Sequence, residues 1–262
     1  MDDVPQIFDA RLRRLRRARA APGFDAFAFV ADAVSAELAD RIGATPRRFP
    51  RALWYGAGET PTIEGTTWLH GDATQNFVRQ GGVVFEEERL PIGERVLDLY
   101  VSVLTLHAVN DLPGALTQIR RSLKPDSLFL AALFGGQTLH ELRAALAEAE
   151  IEIDGGLSPR VSPFVDVRDA GALLQRAGFG QPVADIDVLP VRYDHPLKLF
   201  ADLRGMGETN VLSQRRRTFL KRRTLARAVE TYFDKFQDSD GRVPATFEIL
   251  YLTGWAPAKK PT

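Results

Sequence analysis

The chain has 262 residues, with 34 basic and 34 acidic side chains and no cysteine. The lack of cysteine excludes disulfides, thiolate metal sites, iron–sulfur clusters and a cysteine nucleophile. The charge balance gives no overall field that favours nucleic acid or an anionic membrane as a partner, and the length fits one α/β domain over residues 1–262.

Residues 1–45 are predicted to form an N-terminal helical segment, with helices over Ile7–Ala20 and Phe24–Ile42. The first helix is dense in arginine, with Arg11, Arg13, Arg14, Arg16, Arg17 and Arg19. Such a charge run usually coats a solvated face, and Phe8, Leu12 and Leu15 would then pack the helix against the protein. The alternative is a patch for an anionic partner, such as an acidic carrier protein or a membrane surface.

Beyond residue 50, strands and helices alternate, which predicts a mostly parallel sheet with helices on both faces. The predicted strands are Ala52–Tyr55, Thr66–His70, Val83–Phe85, Val96–Val103, Leu128–Leu133, Val183–Val191 and Phe247–Leu252. The predicted helices are Gln75–Gln80, Leu112–Ser122, Thr138–Glu150 and Val167–Ala177. Residues 196–241 are predicted as a helical insertion before the last strand, and its basic second helix is interpreted as a solvated cover.

The stretch Leu97–Gly114 carries the most information about function. It predicts a buried strand, a polar elbow and the start of a helix, and the turn Leu123–Asp126 then leads into the next strand. Together these form one crossover unit of a parallel sheet. Ligands of such sheets lie outside the carboxyl ends of the strands, so we expect the site at Ser102–Asp111 and from Gly135 onward.

Five segments resemble one group of proteins: Leu106–Leu116, Phe134–Leu142, Ser158–Phe164, Asp202–Asn210 and Pro244–Tyr251. In this order they resemble class I S-adenosylmethionine (SAM)-dependent methyltransferases. The resemblance is narrower to the group that includes the malonyl-acyl-carrier-protein methyltransferase of biotin synthesis and the arginine hydroxylase that assists respiratory complex I assembly. It covers most of the chain.

The resemblance implies a Rossmann-like class I methyltransferase fold with SAM as the cofactor. The sheet would be mostly parallel and seven-stranded, and its last two strands would form an antiparallel pair at one edge. The family places SAM over the turn after the first strand, where Gly56 and Gly58 fit because a side chain would keep the backbone away from the cofactor. An acidic residue near Trp54 and a glycine near Thr60, both usual in the family, are missing.

Three further residues are predicted to bind the cofactor. Asp72, at the end of the second strand, can accept hydrogen bonds from both ribose hydroxyls, and a helix N-cap is its alternative role. The resemblance implies that Glu86 lies near the adenine amino group, and Ser102 lies at the same edge. The neighbouring Glu87 and Glu88 are interpreted as a solvated charged turn.

His107 is the candidate catalytic residue, as a proton acceptor or a substrate-orienting group, and a structural histidine is the alternative. Arg160, Arg192 and Tyr193 are predicted to bind substrate. Arg160 can clamp a substrate carboxylate through two hydrogen bonds, or it forms a surface ion pair. The four histidines show no metal-ligand spacing, so no metal site is predicted, although a carboxylate–histidine iron site for hydroxylation stays open.

Three functions remain in competition. The first is SAM-dependent methylation of a small-molecule or carrier-bound carboxylate, or of a protein. The second is arginine hydroxylation or another role in complex I assembly, with a complex I subunit as the partner. The third is a non-catalytic scaffold with a degenerate SAM turn. The sequence has no apolar run of about 18 residues, so no membrane span is predicted. No nucleic-acid partner is expected, and the predicted location is cytoplasmic.

Overall fold

The computed structural model describes residues 5–258. The outermost residues of the predicted N-terminal segment and of the predicted domain, 1–4 and 259–262, lie outside the described part. Within residues 5–258, seven strands form one sheet: β1 Arg51–Gly56, β2 Thr67–Asp72, β3 Val83–Val84, β4 Leu97–Val103, β5 Leu123–Phe134, β6 Gly180–Tyr193 and β7 Val243–Trp255. Their order in the sheet is β3-β2-β1-β4-β5-β7-β6.

The strand directions confirm the predicted mostly parallel sheet with an antiparallel pair at one edge. Strands β1 to β5 pair in parallel, whereas β7 runs antiparallel to both of its neighbours, β5 and β6. The carboxyl ends of the three inner strands lie in one row, because Gly56 pairs with Val103 and the preceding residue Tyr55 pairs with Gly71. This row therefore sets Gly56 beside Asp72.

Seven α-helices surround the sheet in the described residues: α1 Ala10–Ala20, α2 Phe29–Gly43, α3 Leu112–Ser122, α4 His140–Asp154, α5 Val167–Arg176, α6 Pro196–Gly205 and α7 Arg222–Phe236. Local chemistry fixes several of their starts. The side chains of Asp9, Asp111 and Asp166 accept hydrogen bonds from backbone N–H groups of the first turns of α1, α3 and α5, as carboxylates do at helix N-caps.

The sheet separates two apolar cores. On one face, α2, α4, α6 and α7 pack on side chains such as Trp54, Leu130 and Phe247. On the other face, α3 and α5 cover Tyr100, Phe129 and their neighbours. Because both faces are covered, the central strands are almost continuously apolar, as expected for parallel sheets.

Two connections differ from the usual alternation of strands and helices. Residues 57–66 join β1 to β2 without a helix, although a crossover between parallel strands usually contains one. The predicted helix Gln75–Gln80 is wrong beyond a single short turn at Gln75–Phe77, because β3 begins soon afterwards. The Gly56 turn therefore lacks the helix N-terminus that normally follows it in dinucleotide folds.

Helices α6 and α7 lie between β6 and β7 in the chain, within the predicted insertion at residues 196–241. Residues 206–221 connect these two helices and return to the carboxyl edge of the sheet. There the Asn210 carbonyl accepts a hydrogen bond from the Arg16 guanidinium, and the Val211 carbonyl accepts one from the Asp9 backbone N–H. Among residues 5–258, no helix has the length and apolar character needed to cross a bilayer.

Candidate functional site

The Gly56 turn is shaped by close packing within the protein. Gly56 and Gly58 have φ values of +104° and +101°, which only glycine adopts without strain. A Cβ on Gly56 would lie 2.4 Å from the Val103 carbonyl oxygen, and one on Gly58 would lie 2.1 Å from the Ser35 Oγ of α2. The space that these glycines leave free is thus taken by the protein's own atoms. A cleft of about 700 Å³ opens beside the turn.

Trp54, which stands where the family has an acidic residue, lies in the core beneath this turn. Its indole is fully buried, packs edge-on against Trp68 with ring centroids 5.8 Å apart, and its Nε1 faces the Ala57 carbonyl at 3.4 Å. Where the family has a polar carboxylate at the edge of the sheet, this chain therefore has an apolar indole that packs beneath the Gly56 turn.

Asp72 ends β2 at the predicted place and is wholly buried. Its Oδ1 accepts hydrogen bonds from the backbone N–H of Thr74 at 2.9 Å and from the Thr74 hydroxyl at 3.1 Å. Its Oδ2 accepts one from Arg17 Nη2 of α1 at 2.6 Å. The carboxylate that was predicted to hold ribose hydroxyls is thus neutralised by a side chain of the N-terminal helix.

Arg17 is itself only 3% exposed. Its guanidinium lies 4.5 Å from the Phe77 ring centroid, and Nη1 is 3.7 Å from Glu208 Oε1. Although burial opposes the charge, Asp72 and Glu208 raise the pKa of Arg17 above its ordinary value. The interpretation of this helix as a solvated charged face is therefore wrong on its inner side, where Arg13 is also buried and donates to the Thr105 carbonyl.

Glu208 connects this ion pair to His107. Its Oε2 lies 3.3 Å from His107 Nε2, while its other oxygen faces Arg17. Burial raises the pKa of Glu208, but His107, Arg13 and Arg17 outweigh it and lower that pKa to about 2. Burial lowers the pKa of His107. A chain of contacts thus runs from Asp72 through Arg17 and Glu208 to His107.

His107 lines an apolar cavity of about 230 Å³ between the sheet edge, α4 and α6. Its ring packs near Phe134 and Phe164, with centroids 4.7 and 5.8 Å away. Its Nδ1 is buried and has no hydrogen-bond partner among the described residues. The imidazole thus keeps one polar atom unused beside a cavity whose walls include four phenylalanines and five leucines, and a bound group can pair with that atom.

Arg160 lines the same cavity as His107, but its guanidinium is engaged. Its Nε donates to Glu150 Oε1 at 2.8 Å, and its Nη2 contacts the same oxygen. The Glu150 side chain is buried and also accepts hydrogen bonds from Ser158. In this arrangement Arg160 fixes the loop after α4, and Arg204, which makes no ion pair or side-chain hydrogen bond in the described chain, is the free cation at this cavity.

Arg192 and Tyr193 end β6, on the outermost strand, and line neither the cavity nor the cleft. Arg192 is half exposed and lies 3.4 Å from Asp238, and the Tyr193 hydroxyl donates to Asp202 at 2.7 Å. The structure therefore does not bring these two residues together with His107, and their predicted contact with substrate stays a prediction.

The acidic run after β3 divides into three roles. Glu86 pairs with Arg14 of α1 at the surface, and Glu88 accepts hydrogen bonds from the backbone N–H groups before α3. Glu87 is only 2% exposed, so its interpretation as part of a solvated turn is wrong. Burial is the main reason that the pKa of Glu87 rises to about 7.

Ser102, a predicted cofactor residue, is fully buried and turns its hydroxyl toward Glu87 at 2.7 Å. Thr105 and Tyr100 also donate to Glu87. The hydroxyl of Ser102 is therefore used inside the protein and does not face the cleft.

Sequence reasoning missed Arg17, Glu87 and Glu208. Glu208 lies within the Asp202–Asn210 segment that carried the family resemblance, so that segment held a signal for it. Arg17 was one of six similar arginines and Glu87 the middle one of three glutamates, and no local pattern separates the buried member of such a run from its solvated neighbours.

Comparison with known proteins agrees with this architecture. Residues 63–131 match the family model described as a methyltransferase domain, a match that begins after the Gly56 turn. The structure of the YcgJ protein from Bacillus subtilis matches this fold with a TM-score of 0.55 at 14% identity, and the match covers 86% of this chain and 99% of the YcgJ chain. This similarity supports the class I methyltransferase fold.

The arginine hydroxylase NDUFAF5, mitochondrial, from Homo sapiens is 40% identical over 95% of this chain and 76% of its own length. The malonyl-[acyl-carrier protein] O-methyltransferase from Xylella fastidiosa is 28% identical over 97% of this chain and 90% of its own length. The chain therefore belongs to the family of arginine hydroxylase NDUFAF5, within the class I SAM-dependent methyltransferase superfamily.

Proposed function

We propose that this chain is an assembly factor that acts on a protein subunit of respiratory complex I, and that it is not a methyltransferase of small molecules. The Arg17–Asp72 ion pair carries this proposal, because it closes the cofactor edge with the protein's own side chains. The missing helix after β1 points the same way. The higher identity to the arginine hydroxylase than to the O-methyltransferase supports the protein-directed role.

SAM is the cofactor that the methyltransferase family and fold support. The residues that would hold it are Gly56 and Gly58 for its amino-acid part and Asp72 for its ribose. They fit an adenosyl group only when Arg17 has left Asp72, because the carboxylate is wholly buried and does not line the cleft while Arg17 and Thr74 donate to it. No chemical step through the cofactor follows from the conformation described.

A second candidate function is methylation of a carrier-bound or small-molecule carboxylate. The O-methyltransferase relative favours it, and so does the apolar cavity with Arg204 at its lining, because an apolar body and an anionic head would be matched there. Methylation of a carboxylate needs little from the protein beyond orientation, which contributes roughly 7–11 kcal/mol to such reactions.

Deletion of the gene in its host separates the two functions. We expect loss of assembled complex I on native gels, growth without biotin, and restoration of the complex by the wild-type gene. Biotin auxotrophy with normal complex I would overturn the proposal in favour of carboxylate methylation. The predicted cytoplasmic location is checked by fractionating the same host, and it stays a prediction beside the mitochondrial relative.

Binding of SAM is tested on the purified chain by calorimetry with SAM and its demethylated product. We expect measurable heat that is lost in Asp72→Asn, since the amide cannot accept from both ribose hydroxyls as a carboxylate does. Asp169→Asn, an exposed position in the first turn of α5 away from the cleft, serves as the matched control. If neither ligand gives heat at millimolar concentration, SAM binding is contradicted. The proposal would then be limited to a role in complex I assembly that needs no cofactor.

A further inference from the structure

Two segments that are far apart in the sequence lie side by side at the carboxyl edge of the sheet. The Asp9 backbone N–H donates to the Val211 carbonyl at 2.8 Å, and the Ser213 backbone N–H donates to the Ile7 carbonyl at 2.8 Å. Both segments are basic, because α1 carries six arginines and residues 209–223 carry six basic side chains and no acidic one. Their contact therefore brings together positive charges from two distant parts of the chain.

Arg16 of α1 and Arg215 of the second segment are each held by one nitrogen. Arg16 Nη1 donates to the Thr209 hydroxyl at 2.7 Å and to the Asn210 carbonyl at 2.5 Å. Arg215 Nη1 donates to Asp9 Oδ2 at 3.3 Å and to a backbone carbonyl at 2.8 Å. In both side chains, Nε and Nη2 donate no hydrogen bond within residues 5–258, and neither nitrogen is sealed from solvent. Each guanidinium thus presents the edge on which two parallel N–H groups hold a carboxylate.

These two arginines lie close enough to repel each other. Burial lowers the pKa of Arg16, and repulsion from Arg215 and Arg19 lowers it further, although Asp9 raises it. Arg19 and Arg217 are exposed, and neither makes an ion pair or a side-chain hydrogen bond in the described part of the chain. Asp9, which contacts Arg215, also uses one oxygen to cap α1. We call Arg16, Arg19, Arg215 and Arg217 the arginine surface, and its positive charge exceeds what Asp9 can balance.

The arginine surface adjoins the His107 cavity. Thr209 and Asn210, which hold Arg16, also line that cavity. A ligand bound to the free edge of Arg16 therefore lies beside the cavity wall, next to the site described above.

We propose that the arginine surface binds an acidic segment of a protein partner, with side-chain carboxylates on the free edges of Arg16 and Arg215. This inference rests on the proposed action on a protein subunit, and it names the chemistry by which that subunit is held. A nucleic acid fits the surface less well, because the whole chain carries no net charge, whereas domains that bind nucleic acid have a basic excess.

The test measures the fluorescence anisotropy of a short labelled oligoglutamate peptide titrated with the full chain. We expect binding that weakens as salt is added, because exposed charges are screened. Arg16→Gln and Arg215→Lys should each weaken it about tenfold, since each loses a bidentate pair of charge-assisted hydrogen bonds. Arg215→Lys keeps the positive charge, so its effect separates the bidentate contact from simple attraction. Circular dichroism checks that both variants are folded, and Arg215→Lys alone decides the test if Arg16→Gln is not.

Arg176→Gln is the matched control, because it removes an exposed arginine of α5 away from the arginine surface, and it should bind the peptide as the wild type does. The inference is overturned if oligoglutamate is not bound, or if Arg215→Lys binds it as tightly as the wild type. Tighter binding of single-stranded RNA of equal charge would also overturn it. So would displacement of the peptide by inorganic phosphate at equal concentration, because phosphate matches the same pair of N–H groups.

A host that carries Arg215→Lys distinguishes this inference from the proposed function. We expect less assembled complex I on native gels than in the wild-type host. Normal assembly in this host, with loss of assembly when the gene is deleted, would overturn the role of the arginine surface and leave the proposed function standing. Normal assembly after deletion would instead contradict the proposed function itself.

Discussion

Arg17 shows how a single side chain can decide the state of a site. It carries the only positive charge that contacts both Asp72 and Glu208 in the described residues, and it is buried together with them. Buried charges persist only when they are paired and hydrogen-bonded. Loss of the arginine would therefore leave two carboxylates without their common partner.

We expect Arg17→Met to lower the free energy of unfolding by about 3–5 kcal/mol, as when one partner of a buried ion pair is removed. Urea unfolding monitored by circular dichroism measures this change. The matched control is Arg14→Gln on the same helix, whose partner Glu86 lies at the surface, and which should cost less than about 1 kcal/mol. Equal costs for the two variants would show that Arg17 is not the electrostatic anchor of α1.

The hydroxyl groups around Glu87 fit the protonated form that its burial favours. Ser102 and Thr105 lie 2.8 Å apart, and each also contacts a different oxygen of Glu87. Each hydroxyl has one proton to donate, so the two cannot serve three contacts while Glu87 is ionised. A protonated Glu87 supplies the third donor, which agrees with the raised pKa.

This arrangement predicts a pH dependence of stability. The pKa of the Glu87 carboxyl is about 4.5 in the unfolded chain and about 7 in the folded chain. Its contribution to the stability of the folded state is therefore complete below pH 4.5 and is lost as the pH rises through about 7. Glu87→Gln mimics the protonated form. Between pH 5 and 8 its free energy of unfolding should therefore gain up to about 3 kcal/mol relative to wild type. A difference between Glu87→Gln and wild type that stays constant over this range would contradict the assignment.

At the scale of elements, the connection from β1 to β2 is the main departure from the expected fold. Without a helix after the turn, the chain returns over residues 57–66, and α2 packs against the turn through Ser35. The turn is thus held by close contacts with β4 and α2 on two sides. Its glycines are required by the protein's own packing, whether or not a ligand binds.

Gly56→Ala should therefore lower the free energy of unfolding by at least about 2 kcal/mol, because the added Cβ meets the Val103 carbonyl and the backbone has a positive φ. Gly43→Ala at the end of α2 is the matched control, since no atom lies within 4 Å of its added Cβ. That change should be neutral or slightly stabilising. Thermal unfolding of both variants measures the contrast, and a tolerated Gly56→Ala would show that the turn has room to move.

The positions of the inner strands could be predicted from the sequence, but the side chains that each helix contacts could not. The buried runs before Val103 and Phe134 are long, apolar and bounded by polar turns, which fixes them as inner strands of a parallel sheet. The short turn at Gln75–Phe77 lacks such a signal, because its helical pattern extends over too few residues to outweigh the nearby β3. The arginine helix was located from its sequence, but its inner face depends on acidic residues 55 to 191 positions away, which no local pattern reveals.

For the whole molecule, the sequence predicted a site at the carboxyl edge with Gly56, Asp72 and His107, and all three residues lie at that edge. What it did not predict is that α1 closes this edge from a distant part of the chain. Arg13, Arg14 and Arg17 all bind groups of the edge, so α1 acts as a cover over the proposed cofactor site. Such coupling arises from tertiary contacts alone.

If SAM takes the position beside Asp72, the cover must loosen, and amide hydrogen exchange will show it. We expect amides of α1 from Arg13 to Ala20 to exchange faster in the SAM-saturated chain than in the free chain, because release of Arg17 removes a buried anchor of the helix. Helix α5, packed on the other face of the sheet, is the internal control and should not change. Calorimetric binding with unchanged or slower exchange over α1 would mean that Arg17 keeps Asp72, and that the ligand occupies the cleft beside Gly58 without displacing the helix.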